Sequence, residues 1–508
     1  MRRTVAPPVA GRTALTALSD SRQRAPARSR TLVVVTPVNA SDFDRCYRAV
    51  RARDARFDGW FVTAVLTTRV YCRPSCPART PLPENVRFFS TAAAAHHAGF
   101  RACKRCRPDA VPGSPEWNAR ADVVARAVRL VADGVVDREG VGGVARRVGY
   151  SERQLHRQLV AEVGVGLLAL ARAQRAQTAR VLIETTDLPF AHVAFAAGFG
   201  SIRQFNDTVR EVFAMSPGEL RRRRRAANVR TPGVVVVRLP YREPFAAHEL
   251  FEFLAARAVP GVEVASDDVY RRSLRLPHGA GVVALRPGDG QVVCELRLDD
   301  VRDLTTAVSR SRALLDLDAD PVAVDEQLGA DPVLGPWVRK TPGIRVPGTV
   351  DGDELAMRVV LGQQVSVAGA RTLAARLTAE HGDTLDDDGV THLFPSAATI
   401  AAVDPAALPM PRARAKTLVG LATALADGTI VVDAGADRTE LRERLLALPG
   451  VGEWTADLVV MRGTGDPDVF LARDLGVRRA LARFGRRVDP TSWRPWRSYA
   501  VQHVWRMQ

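Results

Sequence analysis

Cys72, Cys76, Cys103 and Cys106 follow one another as C-x3-C, a long spacer and C-x2-C, and they are four of the six cysteines in the chain. Soft thiolates at these spacings can close on one tetrahedral ion, with zinc the default occupant and iron the rarer one. In a reducing compartment such a cluster reads as a metal site rather than as disulfides. A metal-held sulfur is deprotonated and therefore nucleophilic, so the cluster can staple a domain with little core, or react. The remaining thiols, Cys46 and Cys294, are isolated and read as packing residues.

A second group with chemical potential lies near the other end. Leu445–Leu448 closes an apolar helix, Pro449-Gly450-Val451-Gly452 makes a glycine-paced hairpin, and Glu453-Trp454-Thr455-Ala456 opens another helix. Gly450 and Gly452 permit close backbone approach, and their amides with a helix start can hold a DNA phosphate, directly or through a bound monovalent cation. Alone, such a hairpin marks DNA binding without sequence preference. Gly463, Gly465 and Pro467 then lead into Asp468–Asp474.

The chain that must position these groups has 508 residues, enough for two to four domains. Its 46% hydrophobic and 25% charged residues suit core-forming globular domains. An excess of 72 basic over 56 acidic residues leaves +16, which favours a polyanionic partner. No apolar run is long enough to cross a bilayer and residues 1–30 lack a signal-peptide core, so the expected home is the cytoplasm, at the nucleoid.

Residues 1–35, with many arginines among Ala, Ser and Pro, read as a disordered basic tail. Trp60, Phe61, Val62, Val65 and Leu66 suggest strands or buried segments before the first cysteine pair, in a unit whose small core depends on metal. Helical periodicity runs from Trp117 to Val131 and from Ala171 to Ile183. Val144, Ala145 and Val148 precede Gly149 and a capping Ser151, with Leu155 and Leu159 behind. The pattern repeats as Val193, Ala194 and Ala197 before Gly198 and Ser201, with Phe205 and Val209 behind, so two helix-turn-helix units are expected. Arg221–Arg225 and Thr231-Pro232-Gly233 mark a break, either a solvated linker or one that touches phosphate. Val234–Leu239, Ser273–Leu276, Gly281–Leu285 and Gln291–Leu298 then read as strands, and residues 300–508 as mainly helical.

The stretches Thr67–Cys76, Glu84–Val86 and Gly99–Pro108 closely resemble the amino-terminal zinc domain of bacterial Ada-type adaptive-response proteins. The resemblance implies that Cys72 is both a Zn2+ ligand and the nucleophile that irreversibly takes a methyl group from a DNA methyl phosphotriester. Cys76, Cys103 and Cys106 would be the other ligands, and methylation would strengthen DNA binding, turning damage into a transcriptional signal. Arg69, Arg73, Lys104, Arg105 and Arg107 are candidate phosphate contacts. The segment Gly149–Pro217, above all Ala196-Ala197-Gly198-Phe199, Phe205-Asn206 and Ser216-Pro217, resembles the AraC-type transcription factor domain. Its groove-facing candidates are Glu152, Arg153, Gln154, His156 and Arg157, then Arg203, Gln204, Asn206 and Asp207, while Leu155, Leu159, Phe205 and Phe213 belong to the core.

Leu361–Ala368, the hairpin, Asp468–Leu471, Trp496–Ala500 and His503–Trp505 resemble the AlkA-type alkylpurine DNA glycosylases across residues 233–508. The resemblance makes Asp474 the catalytic carboxylate. Asp468 and Asp457 are rivals by chemistry that read better as a turn or cap and as a helix-surface residue. A flipped base would stack on Trp505 and Trp454, with Phe253 as another wall. Gln363 and Gln364 fall in the loop that enters the duplex. Gln364 replaces an apolar wedge of the enterobacterial type and Leu458 a tyrosine, departures that touch the range of bases accepted. Trp454 stands where strand-cutting relatives carry a lysine, so no Schiff-base step is expected and the product is an abasic site. No cysteine follows Cys294, so no iron-sulfur cluster is expected. The Pro-Cys-His-Arg motif of methylguanine methyltransferases is absent from the chain.

The expected fold is a multidomain α+β chain. It comprises the tail (1–35), an Ada-type zinc domain (36–112), an all-α AraC-type double helix-turn-helix domain (115–225), a small β-rich lobe (233–305) and a large helix-hairpin-helix glycosylase domain (306–508). The expected function joins excision of N-alkylated purines such as 3-methyladenine to methyl phosphotriester sensing and transcriptional control. Its partners would be alkylated and promoter double-stranded DNA and RNA polymerase, with the chain monomeric. The alternative is a transcriptional regulator whose last domain only strengthens DNA binding.

Overall fold

The computed structural model describes residues 40–53, 57–58, 61–103, 105–106, 108, 123–223, 233–266, 269–387, 389–483 and 488–507, all within the unit Thr36–Gln508. The basic tail, Trp60, Lys104, Arg107, Trp117, Arg224 and Arg225 lie outside the described residues.

Runs of Val, Phe, Tyr and Thr favour extended chain, and they form β1 (Val62–Val65), β2 (Val70–Cys72), β3 (Val86–Phe89) and β4 (Arg101–Ala102). The sheet order is β3-β1-β2-β4. Helix Ala40–Ala52 covers it, with Ala49 and Val50 against Phe61 and Phe88, whose rings meet edge to face at 5.2 Å. β1 runs antiparallel to β2 and β3, whereas β2 is parallel to β4 with Tyr71 opposite Ala102. That parallel pair sets the end of β2 beside the start of the second cysteine pair.

The next module is helical. Helices Val123–Ala132, Val135–Val148 and Glu152–Val163 form the first helix-turn-helix, and Phe190–Ala196, Ile202–Phe213 and Pro217–Arg222 form the second. Helix Leu167–Thr185 joins the two. Both turns share one device: a glycine at positive φ, Gly149 at 78° and Gly198 at 81°, followed by a serine cap whose hydroxyl accepts from Gln154 N or Gln204 N. Helix Val135–Val148 is bent at Gly140, where φ is 71°.

The β-rich lobe is an antiparallel sheet of β5 (Val234–Pro240), β6 (Glu263–Ser266), β7 (Val269–Leu276), β8 (Gly279–Gly288) and β9 (Gln291–Leu298), in the order β5-β9-β8-β7-β6. β7 and β8 extend beyond the segments that apolar alternation marks, and β6 is additional. For β6 and β7 the cause is Arg272, which sits buried in β7 against Glu263 of β6 at 3.1 Å and Glu354 at 2.6 Å. Charges paired in this way hide a strand from a hydrophobicity pattern.

Residues 301–507 are mainly helical and hold two further cores. One gathers Leu355, Val360, Leu418, Leu421 and Val459, and the other Val324, Leu334, Met461, Trp493 and Val504. The second helix-turn-helix shares a hydrophobic core with the β-rich lobe, where Val193, Phe205 and Leu220 belong to the same cluster as Val235, Leu250 and Leu285. The first is tied to the helical lobe by arginines. Arg126 Nε donates to Gly435 O at 2.7 Å, Arg129 Nε to Ala434 O at 2.6 Å, and Arg147 Nη1 pairs with Asp433 at 2.9 Å. Among the described residues no helix is long and apolar enough to cross a membrane.

Candidate functional site

Two sites emerge, one at each end of the described chain. In the first, Cys72 ends β2 and Cys103 follows β4, with Cys103 N donating to Tyr71 O at 2.9 Å. A turn returns Cys76 to the pair through Cys76 N to Arg73 O at 3.1 Å. The four sulfurs lie within 4.8 Å of one another, and no other such group occurs among the described residues. Four thiolates around zinc stand roughly 3.8 Å apart at the usual Zn–S length, so donor set and spacing both fit one Zn2+. Cys76 and Cys106 are buried, while Cys72 and Cys103 are half-exposed.

Electrostatics make the same point. A hydrogen bond to Cys106, burial and the neighbouring sulfurs push the Cys72 thiol far up, and burial pushes Cys76 up to about 11. Cys106, accepting from Cys72, is lowered to about 6. Four sulfurs at this distance can all be thiolate only around a cation. The loop between the first two cysteines is anchored by Asp58, which accepts from Ser75 N at 3.0 Å and Ser75 Oγ at 2.5 Å. Arg73 pairs with the same carboxylate at 3.5 Å and is half-buried, so much of its charge is answered within the protein. Arg69 and Arg105 are exposed, and the Arg69 guanidinium rests 5.1 Å over the Phe100 ring. Cys294 is fully buried, its thiol raised to about 12 by that burial.

On helices Glu152–Val163 and Ile202–Phe213 the side chains of Arg153, Gln154, Arg157, Arg203 and Gln204 are all exposed, as are Glu152, His156 and Asp207, while Leu155, Leu159 and Phe205 are fully buried. Both glutamines spend their amide oxygen locally. Gln154 Oε1 accepts from Ser151 Oγ at 2.8 Å and Gln204 Oε1 from Gly200 N at 3.2 Å, which leaves only their NH2 groups facing outward.

The second site is built on helices Arg438–Leu446 and Glu453–Gly463 and the hairpin between them. Gly450 turns it at φ +84°, with Thr417 so close that a Cβ there would lie 2.0 Å from Thr417 Oγ1. Gln363 and Gln364, expected together in the inserting loop, part company. Gln363 Nε2 donates to Gly450 O at 3.1 Å and Thr455 Oγ1 at 3.0 Å, holding the hairpin. Gln364, at φ +55°, is exposed and projects beside the equally exposed Val365.

Asp474 caps helix Leu475–Ala482, its Oδ1 accepting from Val477 N at 2.9 Å. Trp505 Nε1 donates to the same oxygen at 3.0 Å and Trp454 Nε1 to Oδ2 at 2.9 Å. The two tryptophans, expected as stacking walls, hold the carboxylate through their indole N–H groups. All three residues line a cavity of about 470 Å³, together with Phe253, whose ring lies near-parallel to Trp505 at 6.4 Å and 19°. Asp457 pairs with Arg442 at 2.6 Å and Asp468 with Arg497 at 2.6 Å, and neither lies in the cavity wall. The floor is a charged network that sequence reasoning missed. Burial alone would raise the Glu263 carboxyl, yet Arg358 and Arg272 bring it down to about 2, and both arginines also bind Glu354. Single charged residues in strands and helices look solvated until the fold closes over them.

These sites and folds define a class: a zinc-type four-thiolate module and a paired helix-turn-helix joined to a helix-hairpin-helix repair lobe. Residues 45–109 match the family described as the metal binding domain of Ada, 144–223 a helix-turn-helix domain, and 236–351 the AlkA N-terminal domain. The chain is 59% identical over 476 residues to the "Probable bifunctional transcriptional activator/DNA repair enzyme AlkA" of Mycobacterium tuberculosis, covering 91% of this chain and 96% of that protein. It belongs to that family of fused Ada-type and AlkA-type repair proteins. The chain is also 35% identical over 280 residues to "DNA-3-methyladenine glycosylase 2" of Escherichia coli, covering 53% of this chain and 95% of that one. Over 137 residues it is 41% identical to the "Bifunctional transcriptional activator/DNA repair enzyme Ada" of the same organism, covering 27% and 37% respectively.

Proposed function

We propose that this chain excises N-alkylated purines such as 3-methyladenine from double-stranded DNA, leaving an abasic site, and separately records methyl phosphotriesters on Cys72 to control transcription. It would act in the cytoplasm as a monomer, with RNA polymerase as its partner at the promoter. The observation that carries the reading is the Asp474 carboxylate, fixed by three N–H donors in an aromatic-walled cavity beside a glycine hairpin.

The geometry supports a definite division of labour. Gly450 and Gly452 would hold backbone phosphate, Gln364 would fill the space of the flipped nucleotide, and Phe253, Trp454 and Trp505 would receive the base. An N3- or N7-alkylated purine is already cationic. As its bond to the sugar breaks, the electron pair stays on the base, which leaves neutral. Asp474 stabilises the positive character arising on the sugar, and water adds at the same carbon, releasing a proton. Trp454 supplies no amine, so the strand stays uncut.

At the other site Cys72 sulfur bonds to the methyl carbon while the carbon–oxygen bond breaks, its electrons going to the phosphate oxygen. A normal phosphodiester and a thioether result, and the cysteine is spent. Zinc, when bound, keeps the sulfur deprotonated at neutral pH. The exposed Arg69 and Arg105 would meet the neighbouring phosphates.

Chromatography of bases released from methylated duplex tests the reading. Free 3-methyladenine beyond the uncatalysed level is expected. No release, with DNA affinity retained, would leave the last lobe as a DNA-binding element only.

A further inference from the structure

The loop that carries the sensor chemistry is tied to one buried side chain. Only Arg73, Pro74 and Ser75 stand between Cys72 and Cys76. The Asp58 carboxylate holds two of them, through Ser75 N at 3.0 Å, Ser75 Oγ at 2.5 Å and the Arg73 guanidinium at 3.5 Å. Asp58 is 7% exposed, so water competes little for these bonds. Its own main chain lies outside the helices and strands and is joined to Phe61 by one isolated bridge. Further support comes from the other half of the protein. Arg242, just past β5 of the β-rich lobe and as buried as Asp58, donates Nε–H to Asp58 O at 3.4 Å. Arg242 is itself fixed within the repair half. Its Nη1 donates to Asp318 O at 2.7 Å and Ala319 O at 3.2 Å, and its carbonyl accepts from Arg345 Nη2 at 2.6 Å.

A sulfur that displaces phosphate from a methyl carbon must approach in line and near contact, and a misplacement of about 1 Å can cost about a hundredfold in rate. A three-residue loop pinned at two of its residues leaves little room for that error. We propose that Asp58 is a positioning residue for methyl capture at Cys72, and that Arg242 makes the repair half a brace for the sensor loop. This rests on the methyl phosphotriester reading above. The joint spans 184 residues of sequence, so a sensor module cut from the chain would lack it.

The test uses the zinc-loaded full chain and two conservative variants. Arg242→Lys keeps a cation within reach of the Asp318 carbonyl but puts a methylene where Nε stands, so it removes the bond to Asp58. Asp58→Asn keeps an oxygen for Ser75 N and removes the charge that holds Arg73. Two rates are read: passage of zinc to a coloured chelator, and single-turnover methyl uptake at saturating methyl phosphotriester duplex, counted per zinc-loaded chain. Both variants are expected to lose metal faster. Uptake is expected to slow about tenfold in Asp58→Asn, the size of one hydrogen bond to a charged group, and about fivefold in Arg242→Lys, whose bond is longer. Release of 3-methyladenine by Arg242→Lys is expected to match that of the unaltered chain. Unchanged uptake per zinc-loaded chain in either variant would overturn the proposal. So would slowed uptake in Arg242→Lys matched by an equal loss of base release, which marks general unfolding. The unaltered chain separates the two failures. No methyl uptake by it sinks the sensor reading and this proposal with it, whereas uptake that the variants match sinks this proposal alone.

Discussion

Full-length protein carrying Asp474→Asn is expected to keep its circular dichroism and its affinity for methylated duplex, yet to release free 3-methyladenine on the order of 10²–10³ times more slowly. The amide oxygen can still cap the helix by accepting from Val477 N, as Asp474 Oδ1 does at 2.9 Å. Its NH2 then faces the Trp454 indole, which donates to Oδ2 at 2.9 Å, so two donors meet and the side chain is pushed from its place. The negative charge opposite the sugar is lost as well. Neither effect touches the hairpin, where Gln363 bonds to Gly450 O and Thr417 to Pro449 O. Undiminished release by a folded variant would remove Asp474 from the chemistry. The arginine-paired Asp468 and Asp457 would then need re-examination.

Stripping the metal from the amino-terminal module is expected to have the larger structural effect. Its core is small, a cluster of Ala49, Val50, Phe61, Val86 and Phe88 with Tyr71, Phe89 and Phe100 buried besides. Structural zinc binding is worth about 10–16 kcal/mol in finger-sized units, far more than so small a core supplies. Chelation, or Cys106→Ser, should therefore make residues 61–106 sensitive to limited proteolysis and abolish methyl uptake, while the β-rich and helical lobes stay resistant. Protons compete for the same sulfurs, so metal retention should weaken as pH falls. Unchanged protease resistance of this segment after complete metal removal would show that the sheet, not the ion, holds it.

Legibility in the sequence followed how local the physics was. The cysteine quartet is set by short spacings and one parallel strand pair, and the spacing alone already announces a metal centre. The serine caps at Ser151 and Ser201 are equally local, and both form as the glycine-serine pattern requires. Asp474 was visible only through resemblance, because a carboxylate in a turn has no periodicity to mark it and its partners come from residues 20 and 31 positions away. Gln363 reads from its position as a residue of an inserting loop, while its bond to Gly450, 87 residues distant, makes it a brace for the hairpin. The arginines of helices Val123–Ala132 and Val135–Val148 look like a solvated face, yet Arg126 is buried against Gly435 and Asp437. Long-range pairing of charges, in this interface and in the cavity floor, is what a hydrophobicity pattern cannot carry.

The coexistence of a stoichiometric capture of carbon at Cys72 and a turning-over excision at Asp474 in one polypeptide is the expected behaviour. It is tested most directly by incubating the full chain with a large excess of methylated duplex, then counting released 3-methyladenine against methyl groups found by peptide mass mapping. Many bases per chain, with a single added methyl confined to Cys72, is the expected result. Base release that stops at one per chain, or a Cys72 that stays unmodified, would contradict it.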